Sequence, residues 1–484
     1  MPLSKLISGW CWDYFNKYGI APNTDIQDIY KEKSERLDPD IKQAIEGILQ
    51  NLSDEFENGK KLNYKWMLDK SEEYMQSRNL ESLSLEINTL LKNGQVKKAE
   101  TLVTTFKQIK KPDTKGLDLF RDRKIIADIL SNKENQVLFR FKGEAGKIFP
   151  PICLEEFIAF FGPQKRGKSW ALQEVGKQAL LRGFNVAHFN FEMPEIELLG
   201  RYVQSLTGSP LKEEDEDCLI PVFDCEINQL GKCKRAKELG INAIALKDEG
   251  EKLRIDKIPK GYKPCAICKD ADEKKYKMRY AQALFYRRNT NPVLTQGSII
   301  QKITNLKPYI RGGSLRWVTW PSDTKTINDI RHQLAQWEDE DNFQPHVIIT
   351  DYADLMVADE KTGIYRLDVD NVWKGHKRLS QEYHCAVFTG SQTESKTHEQ
   401  RIKQSSASED KNKIAHVDRG IALEQTEEDY NNDIMRWAMM VERRGKKIMR
   451  DLVILQQLKL GNPFLDCYVE YTKPAQKERK KKKR

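Results

Sequence analysis

The chain has 484 residues, of which 39% are hydrophobic and 32% are charged, and its formal net charge is +9. This length predicts two or three folded units with a heavily charged surface, and the slight basic excess favours a polyanionic partner without deciding the matter. No apolar run approaches the ~20 residues of a membrane span and the N-terminus MPLSKLISGWCWDYF has no secretory pattern, so we expect a cytoplasmic protein.

Residues 1–112 place polar and apolar side chains at helical spacing, with few of the alternations that strands show. In LESLSLEINTLLKNGQVKKAETLVTTFKQI, Gly94 marks the turn of a helical hairpin. These patterns predict a helical N-terminal domain. Pro112 and Gly116 then indicate a linker, which we place at residues 113–149.

Short apolar runs alternate with helical segments over residues 150–472. Runs such as EFIAFFG, NVAHFNF, HVIITDYADLM and CAVFTGSQ are typical of buried parallel strands joined by helical crossovers. The second domain is therefore predicted to be α/β, with a mostly parallel central sheet. Residues 473–484 contain too few apolar side chains to fold, and they predict a basic disordered tail that binds nucleic acid or aids solubility.

The first strand and helix of this domain flank GPQKRGKS, a complete phosphate-binding loop motif. Glycines at 162 and 167 let the backbone turn its N–H groups toward phosphate oxygens, and the following helix adds the positive end of its dipole. Lys168 is expected to reach the β- and γ-phosphates of ATP, and Ser169 to hold Mg²⁺. The predicted nucleotide-binding residues are Gly162, Pro163, Gln164, Lys165, Arg166, Gly167, Lys168, Ser169 and Asp351.

ATP hydrolysis also needs a carboxylate for Mg²⁺ and a carboxylate that activates water. Asp351 ends the run HVIITD and is predicted to be the Mg²⁺ carboxylate. Glu192 follows NVAHFNF and is predicted to be the catalytic base, because the carboxyl ends of parallel strands face the ligand crevice. Gln392 ends CAVFTGSQ, where its amide is a candidate contact to the γ-phosphate or to the attacking water.

Five of the nine cysteines lie in a Lys/Glu-rich segment, residues 212–285, that is predicted to be an insertion between the second and third strands. A tight C-x-x-C pair and a looser pair are sufficient for a tetrahedral zinc site, which would hold together an insertion with little core. Cys218 is a possible replacement for one ligand, and an iron–sulfur cluster is the alternative. The predicted zinc ligands are Cys225, Cys233, Cys265 and Cys268.

Taken together, these motifs resemble those of the DnaB-type replicative helicases, within the RecA-like P-loop ATPases. FNFEM is similar to the family's Ser-Leu-Glu-Met, ITDYADLM to its Asp-Tyr-Leu-Gln-Leu, and GSQT to its Ser-Gln-Leu motif. The likeness implies the catalytic glutamate at Glu192, the Mg²⁺ carboxylate at Asp351 and a sensor at Gln392.

The segment MVERRGKK resembles the family's Lys-x-Arg-x-Gly, in which the arginine reaches a neighbouring subunit's nucleotide. This resemblance implies that Arg443 is the arginine finger and belongs with the catalytic residues. The sequence departs from the family at Val441, where the family has lysine. Either Arg444 or Lys446 takes that role, or the trans-acting site is weaker.

The resemblance covers residues 150–200 and 315–465, with the motifs in the family's order. It implies a RecA-like ATPase core, preceded by the helical domain and interrupted by the zinc-binding insertion, in a ring of about six subunits. The implied function is ATP-driven translocation on single-stranded DNA in replication, with a primase or a helicase loader as a further partner. The compact N-terminal part and the insertion suit a phage-type member, in a bacterial or phage-infected cell.

In such a ring, basic side chains on loops that face the channel would contact DNA phosphates. Four candidates follow Gln392 and a fifth follows Asp351; the predicted DNA-binding residues are Lys396, Arg401, Lys403, Lys411 and Lys361. Two rival functions stay open. One is a KaiC- or RecA-like ATPase switch that assembles a complex without unwinding. The other is a binding module with nucleotide as a structural ligand, against which Glu192 and Asp351 argue.

Overall fold

The computed structural model describes residues 3–34, 37–57, 64–105, 136–241, 244–251, 253, 258–259, 261–269, 280–393, 411–443 and 451–470. The chain divides into two compact units, Met1–Asp122 and Arg123–Arg484. Within the described ranges, no helix combines the length and the apolar composition that crossing a bilayer requires.

The first unit is helical, as its sequence pattern predicts. Its helices are α1 (Leu3–Tyr18), α2 (Ile26–Ser34), α3 (Pro39–Glu57), α4 (Tyr64–Lys92) and α5 (Val96–Thr105). Gly94 joins α4 to α5 with φ at +70°, a conformation that other residues rarely adopt. The N–H of Gln95 donates to the carbonyl of Leu90 at 2.9 Å and closes the end of α4. The predicted hairpin turn at Gly94 is confirmed.

The second unit alternates strands and helices. Its strands are β1 (Val137–Phe139), β2 (Ile152–Cys153), β3 (Phe157–Gly162), β4 (Val186–Asn190), β5 (Leu219–Cys225), β6 (Gln282–Arg288), β7 (Leu315–Thr319), β8 (Val347–Asp351), β9 (Ala386–Gln392), β10 (Arg419–Glu424), β11 (Ile434–Glu442), β12 (Asp451–Gln457) and β13 (Asn462–Glu470). Its α-helices are α6 (Ala145–Ile148), α7 (Lys168–Leu180), α8 (Glu195–Thr207), α9 (Glu226–Gln229), α10 (Gln296–Leu306), α11 (Ile327–Asp341), α12 (Tyr365–Glu382), α13 (Lys411–His416) and α14 (Glu427–Asn431).

Nine of these strands form one sheet in the order β13-β12-β11-β10-β3-β9-β8-β4-β7. The pairs from β10 to β7 are parallel, and the pairs from β10 to β13 are antiparallel. The predicted α/β class with a mostly parallel sheet is confirmed. The runs MRWAMMV and LVILQQL predict strands in the antiparallel part, but their direction was not predicted, because an apolar run does not show the direction of its strand.

Strand β3 shows why the parallel strands are apolar along their whole length. Ile158 and Phe160 pack with the apolar side of α7 on one face of the sheet. Phe157 and Phe161 pack with α11 and α12 on the other face. Because successive side chains alternate between faces, a strand covered on both sides needs an apolar residue at every position. The carboxyl end of such a strand is where polar residues become possible.

The predicted linker, 113–149, is wrong over its last part. Residues 137–149 contain β1 and α6, and they belong to the second unit. Phe139, Phe141 and Phe149 are buried there, and the ring of Phe141 meets that of Trp437 edge-on at 5.5 Å. The Pro and Gly residues near 112–116 indicated the start of a linker, whereas the aromatic residues at its predicted end contribute to the core of the second unit.

The cysteine-containing segment lies between β4 and β7, which are the second and third parallel strands in chain order. Its two strands, β5 and β6, pair antiparallel with each other outside the main sheet. Phe223 packs in a cluster with Val453 and Leu455 of β12. Lys269 lies 4.4 Å from the centre of the Phe223 ring and forms an ion pair with Asp466 at 3.1 Å. The segment is thus docked on the antiparallel part of the sheet.

A buried histidine on β4 makes the stability of this domain depend on pH. His188 is fully buried, its Nδ1 lies 2.8 Å from the hydroxyl of Tyr202, and burial lowers its pKa to about 3. The unfolded chain protonates this residue near pH 6.5, so the stabilisation that neutral His188 provides is present above that pH and is lost as the pH falls.

We therefore expect the difference in unfolding free energy between wild type and His188→Gln to shrink by about 1.4 kcal/mol from pH 7.5 to pH 5.5. Urea unfolding at the two pH values measures this difference. The control is His332→Gln, at an exposed position of α11. A difference for His188→Gln that stays constant across this pH range would contradict the assignment.

Candidate nucleotide-binding site

The register of the parallel strands gathers the predicted site residues at one edge of the sheet. Gly162 at the end of β3 lies beside Gln392 at the end of β9. Asp351 at the end of β8 lies beside Asn190 at the end of β4, just before Glu192. Residues that are far apart in the sequence thereby line a single crevice, as expected for a parallel sheet with bound ligand at its carboxyl edge.

The phosphate-binding loop has the backbone that its glycines predict. Gly167 has φ at +75°, and a Cβ added there would lie 3.3 Å from the terminal methyl of Met435. A Cβ added at Gly162 would lie 3.2 Å from the Cβ of Leu423. Helix α7 starts at Lys168, so its free N–H groups and the positive end of its dipole face the loop. The loop is shaped to hold an anion.

Lys168 is buried within this loop. Its ammonium donates to the carbonyl oxygens of Gly162 at 3.2 Å and Pro163 at 2.9 Å. Burial lowers the pKa of Lys168, and the negative charges of Glu192, Asp351 and Asp354 act in the opposite direction. A phosphate group beside the ammonium would favour its charged form further.

Asp351 is fully buried, and neither of its carboxylate oxygens has a hydrogen-bond partner among the described residues. Burial first, and then the charge of Glu192, raises the pKa of Asp351 to about 7, while the nearby Ser169 hydroxyl acts in the opposite direction. A buried carboxylate without partners costs free energy unless it binds a cation. Asp351 and the hydroxyl of Ser169 therefore fit a Mg²⁺ ion, whose charge would favour the ionised carboxylate.

Glu192 faces the same crevice but is exposed. The hydroxyl of Ser169 donates to its Oε2 at 3.1 Å, and its backbone N–H donates to the Oδ1 of Asn190 at 3.3 Å. Glu192, Lys168 and Ser169 line a cavity of about 360 Å³. An accessible carboxylate next to the phosphate-binding loop is placed to accept a proton from water.

Gln392 lies opposite the loop, and its amide donates to the hydroxyl of Tyr352 at 2.6 Å. Tyr352 follows Asp351 directly, so this hydrogen bond links the ends of β9 and β8. The amide is half-buried at the crevice edge. Its position is compatible with contact to a phosphate oxygen or to water, as predicted for a sensor.

Arg201 is a residue of this cavity that the motifs did not predict. Its guanidinium lies 4.5 Å from the centre of the Trp170 ring and donates to Glu197 at 2.6 Å. Its positive charge helps to lower the pKa of Asp351. Arg201 is the one basic residue in α8, the helix that follows Glu192, and this was the available indication in the sequence.

Only some of the predicted trans-acting and DNA-binding residues are among the residues that the structure describes. Arg443 is exposed just after β11, and its guanidinium donates to the carbonyl of Ala415. Lys361 is exposed in the segment between β8 and α12. Lys411 starts α13, with its side chain outside the described set. The other predicted DNA contacts, which are outside the described residues, are Lys396, Arg401 and Lys403.

Two of the four predicted zinc ligands, Cys225 and Cys265, share one buried carboxylate as a backbone hydrogen-bond partner. The Oδ1 of Asp224 accepts hydrogen bonds from the N–H groups of Cys225 and Cys265, both at 2.8 Å. Burial raises the pKa values of Cys265 and Cys268, and the charges of Cys225 and Cys233 raise both further. Across the described part of the chain, no three or more His, Cys, Asp or Glu side chains form a group arranged to hold a metal ion. Zinc binding at these cysteines stays a prediction.

Sequence comparison finds no matching protein-family model and no matching curated protein. A solved structure titled as a DnaB-like replicative helicase and its interactions with primase is 13% identical, covers 92% of this chain and 88% of its own, and has a TM-score of 0.53. A second solved structure, described as an ATPase domain, is 12% identical, covers 72% of this chain and 100% of its own, and has a TM-score of 0.45. The chain therefore has the fold of a DnaB-like replicative helicase, with a mostly parallel sheet that follows a helical N-terminal region in the sequence.

Proposed function

We propose that this protein is an ATP-dependent DNA helicase that translocates on single-stranded DNA in replication. The observation that supports this most directly is the convergence of Lys168, Ser169, Glu192 and Asp351 at the carboxyl edge of the sheet. A nucleotide-binding module without hydrolysis would need the phosphate-binding loop but no accessible carboxylate beside it. The fold that the chain shares with a DnaB-like helicase supports a helicase as the kind of ATPase that we propose.

In this proposal each residue has a defined role. The loop from Gly162 to Ser169 binds the phosphates of ATP, and Lys168 contacts the β- and γ-phosphates. Ser169 and Asp351 hold Mg²⁺, which neutralises phosphate charge when it is bound. Glu192 accepts the proton of the attacking water, and Gln392 orients the γ-phosphate or that water.

We propose that the working form is a ring of about six subunits, with ATP at the subunit interfaces. Arg443 is exposed just beyond β11, and in the proposed ring its guanidinium would exchange the carbonyl of Ala415 for a phosphate oxygen of a neighbouring subunit's nucleotide. The solved helicase with a similar fold is described with its interactions with primase. A primase or a helicase loader is accordingly the partner that we propose beside DNA.

Single-stranded DNA would bind through lysine and arginine contacts to phosphates, without sequence preference. Lys361, exposed after β8, is one proposed contact. The others are Lys396, Arg401, Lys403 and Lys411 in the segment between β9 and the end of α13. Both segments begin where a strand of the ATP site ends.

A forked DNA duplex with one labelled strand tests the proposed function. The wild-type protein is expected to displace the strand with Mg²⁺ and ATP, but not with a non-hydrolysable analogue. Arg443→Ala is expected to bind ATP but to lose displacement, because a trans-acting arginine contributes ~10³–10⁵ to the rate. Arg288→Ala, at an exposed position of β6, is the control. ATP hydrolysis without any displacement would contradict the helicase and favour the switch that assembles a complex.

We also propose that Cys225, Cys233, Cys265 and Cys268 hold a structural zinc ion. The supporting observations are the C-x-x-C spacing and the shared hydrogen bonds of Asp224 to Cys225 and Cys265. Such bonds orient the backbone of ligand-bearing loops in metal sites. Zinc would favour the thiolate forms and stabilise the insertion where it docks on β12 and β13.

Metal analysis of the purified protein is expected to find about one zinc per chain. The double variant Cys265→Ser, Cys268→Ser is expected to lose the zinc and to unfold at a lower temperature. Cys153→Ser, at a half-buried cysteine outside the insertion, is expected to keep it. A zinc-free wild-type protein, purified without chelators, would rule out this site, and iron in place of zinc would point to the iron–sulfur alternative.

A further inference from the structure

Asp354 is a largely buried carboxylate just after β8 that belongs to none of the roles assigned above. Its side chain is 12% exposed. It accepts hydrogen bonds from the indole N–H of Trp373 on α12 at 3.0 Å and from the hydroxyl of Ser391 on β9 at 3.0 Å. Its third partner is the ammonium of Lys413 on α13, at 2.9 Å. One carboxylate thus joins three separate elements.

Three features connect Asp354 to the ATP site. It lies in the short turn that begins directly after Asp351 and Tyr352. Ser391, which donates to it, precedes Gln392, and the Gln392 amide in turn donates to Tyr352. The charge of Asp354 also acts on Lys168, where it opposes the lowering of the pKa by burial. A shift of Asp354 would therefore displace both the sensor strand and the turn behind the Mg²⁺ carboxylate.

Lys413 connects the same carboxylate to the helix that follows the proposed DNA-contacting segment. It lies on α13, the first described element after β9, and residues 394–410 join the two in the sequence. This joining segment contains Lys396, Arg401 and Lys403, which we propose as DNA contacts. The segment is continuous in the sequence with the helix that carries Lys413.

Helix α13 has contacts beyond the Lys413 ion pair, among them the hydrogen bond from Arg443 to the carbonyl of Ala415. Besides the Lys413 ion pair, His416 lies 2.7 Å from the carboxylate of Asp370 on α12. Lys413 is 16% exposed, and its ammonium lies 5.8 Å from the centre of the Trp373 ring. An ion pair with so little exposure is screened less than a surface pair, and loss of either partner leaves a charge poorly solvated. Lys413 and Asp354 are therefore expected to move together.

We infer that the Lys413–Asp354 ion pair is a positioning contact that couples the DNA-contacting segment to the sensor end of β9. The two residues act through Ser391 and Gln392 rather than on the nucleotide itself. The inference rests on the proposed function, since it assigns the route by which DNA would change the rate of ATP hydrolysis. A purely structural ion pair would instead change stability and leave the response to DNA intact.

The test compares ATP hydrolysis with and without oligo(dT) for wild type, Lys413→Met, Asp354→Asn and the double variant. Each single variant is expected to reduce the stimulation by DNA roughly fivefold or more, which is the lower range of coupling between two sites. The double variant should lose no more than either single one, since both remove the same contact. Basal hydrolysis by Lys413→Met should stay within about twofold of wild type, a difference of only ~0.4 kcal/mol in the barrier.

Two further variants keep this test decisive. Lys413→Arg retains the charge and is expected to restore most of the stimulation by DNA. Lys374→Met removes another lysine–aspartate pair, with Asp370, whose lysine is 47% exposed, and it is expected to keep the stimulation. Equal losses of basal and stimulated hydrolysis in Lys413→Met, with an unchanged ratio, would overturn the inference.

A DNA-free measurement separates this inference from the proposed function. If wild-type hydrolysis does not respond to DNA, the proposed function fails, but the coupling is still testable by limited trypsin digestion. A non-hydrolysable ATP analogue is then expected to change the cleavage rate at Arg401 and Lys403 in wild type and in Lys413→Arg, but not in Lys413→Met. The same change in all three proteins would overturn the coupling.

Discussion

Glu192→Gln is expected to lower the rate constant of ATP hydrolysis by roughly 10²–10⁴-fold while nucleotide affinity stays close to that of wild type. The amide keeps the shape of the side chain and its hydrogen bond from Ser169, which lies 3.1 Å from the carboxylate. It cannot accept the proton of the attacking water, so the chemical step loses its base. Single-turnover hydrolysis together with equilibrium binding of a fluorescent ATP analogue measures both quantities.

The matched control for this variant is Glu195→Gln, which removes an exposed carboxylate in the first turn of α8. It is expected to hydrolyse ATP like wild type. A Glu192→Gln protein that hydrolyses ATP at more than about a tenth of the wild-type rate would exclude Glu192 as the base, because a general base contributes ~10² or more. Another carboxylate of the cavity, Glu197, would then become the candidate.

Lys168→Met is expected to weaken ATP binding by roughly 10²-fold, because hydrogen bonds to charged groups contribute about 1.5–3 kcal/mol. The ammonium is buried between the loop carbonyls of Gly162 and Pro163, where water replaces it poorly. Methionine keeps the length of the side chain, so the loop should stay folded. Isothermal titration with ATP and Mg²⁺ gives the affinity, and thermal unfolding without nucleotide checks the fold.

Lys307→Met serves as the control because Lys307 is exposed and lies outside the phosphate-binding loop. Its affinity for ATP should equal that of wild type. If Lys168→Met bound ATP as tightly as wild type, the phosphates would have to sit elsewhere than in the loop from Gly162 to Ser169. The proposed binding of Mg²⁺ by Ser169 and Asp351 would then be contradicted as well.

The sequence predicted where polar residues lie at the strand ends, for a physical reason. In a parallel sheet covered on both faces, a polar residue is tolerated only where the strand ends. Glu192, Asp351 and Gln392 each follow an apolar run, so the residue and its place in the fold were predicted together. The structure brings these ends to one edge, through the register of Gly162 with Gln392.

Residues that act through tertiary contacts had no comparable pattern. Arg201, Asp354 and Lys413 gain their surroundings only when helices and turns pack against the sheet. The linker was extended too far for a similar reason, because burial of Phe141 against Trp437 depends on a strand far along the chain. The antiparallel direction of β11–β13 also escaped prediction, since an apolar run does not show the direction of its strand.

The most direct test of the account is the rate of ATP hydrolysis by the wild-type protein with and without single-stranded DNA, at several salt concentrations. We expect strong stimulation by DNA, with an apparent affinity that falls as salt increases, because lysine and arginine contacts to phosphates release counterions. Hydrolysis that is abolished by Glu192→Gln but indifferent to DNA at every salt concentration would contradict a DNA motor. It would leave an ATPase switch that acts on another partner.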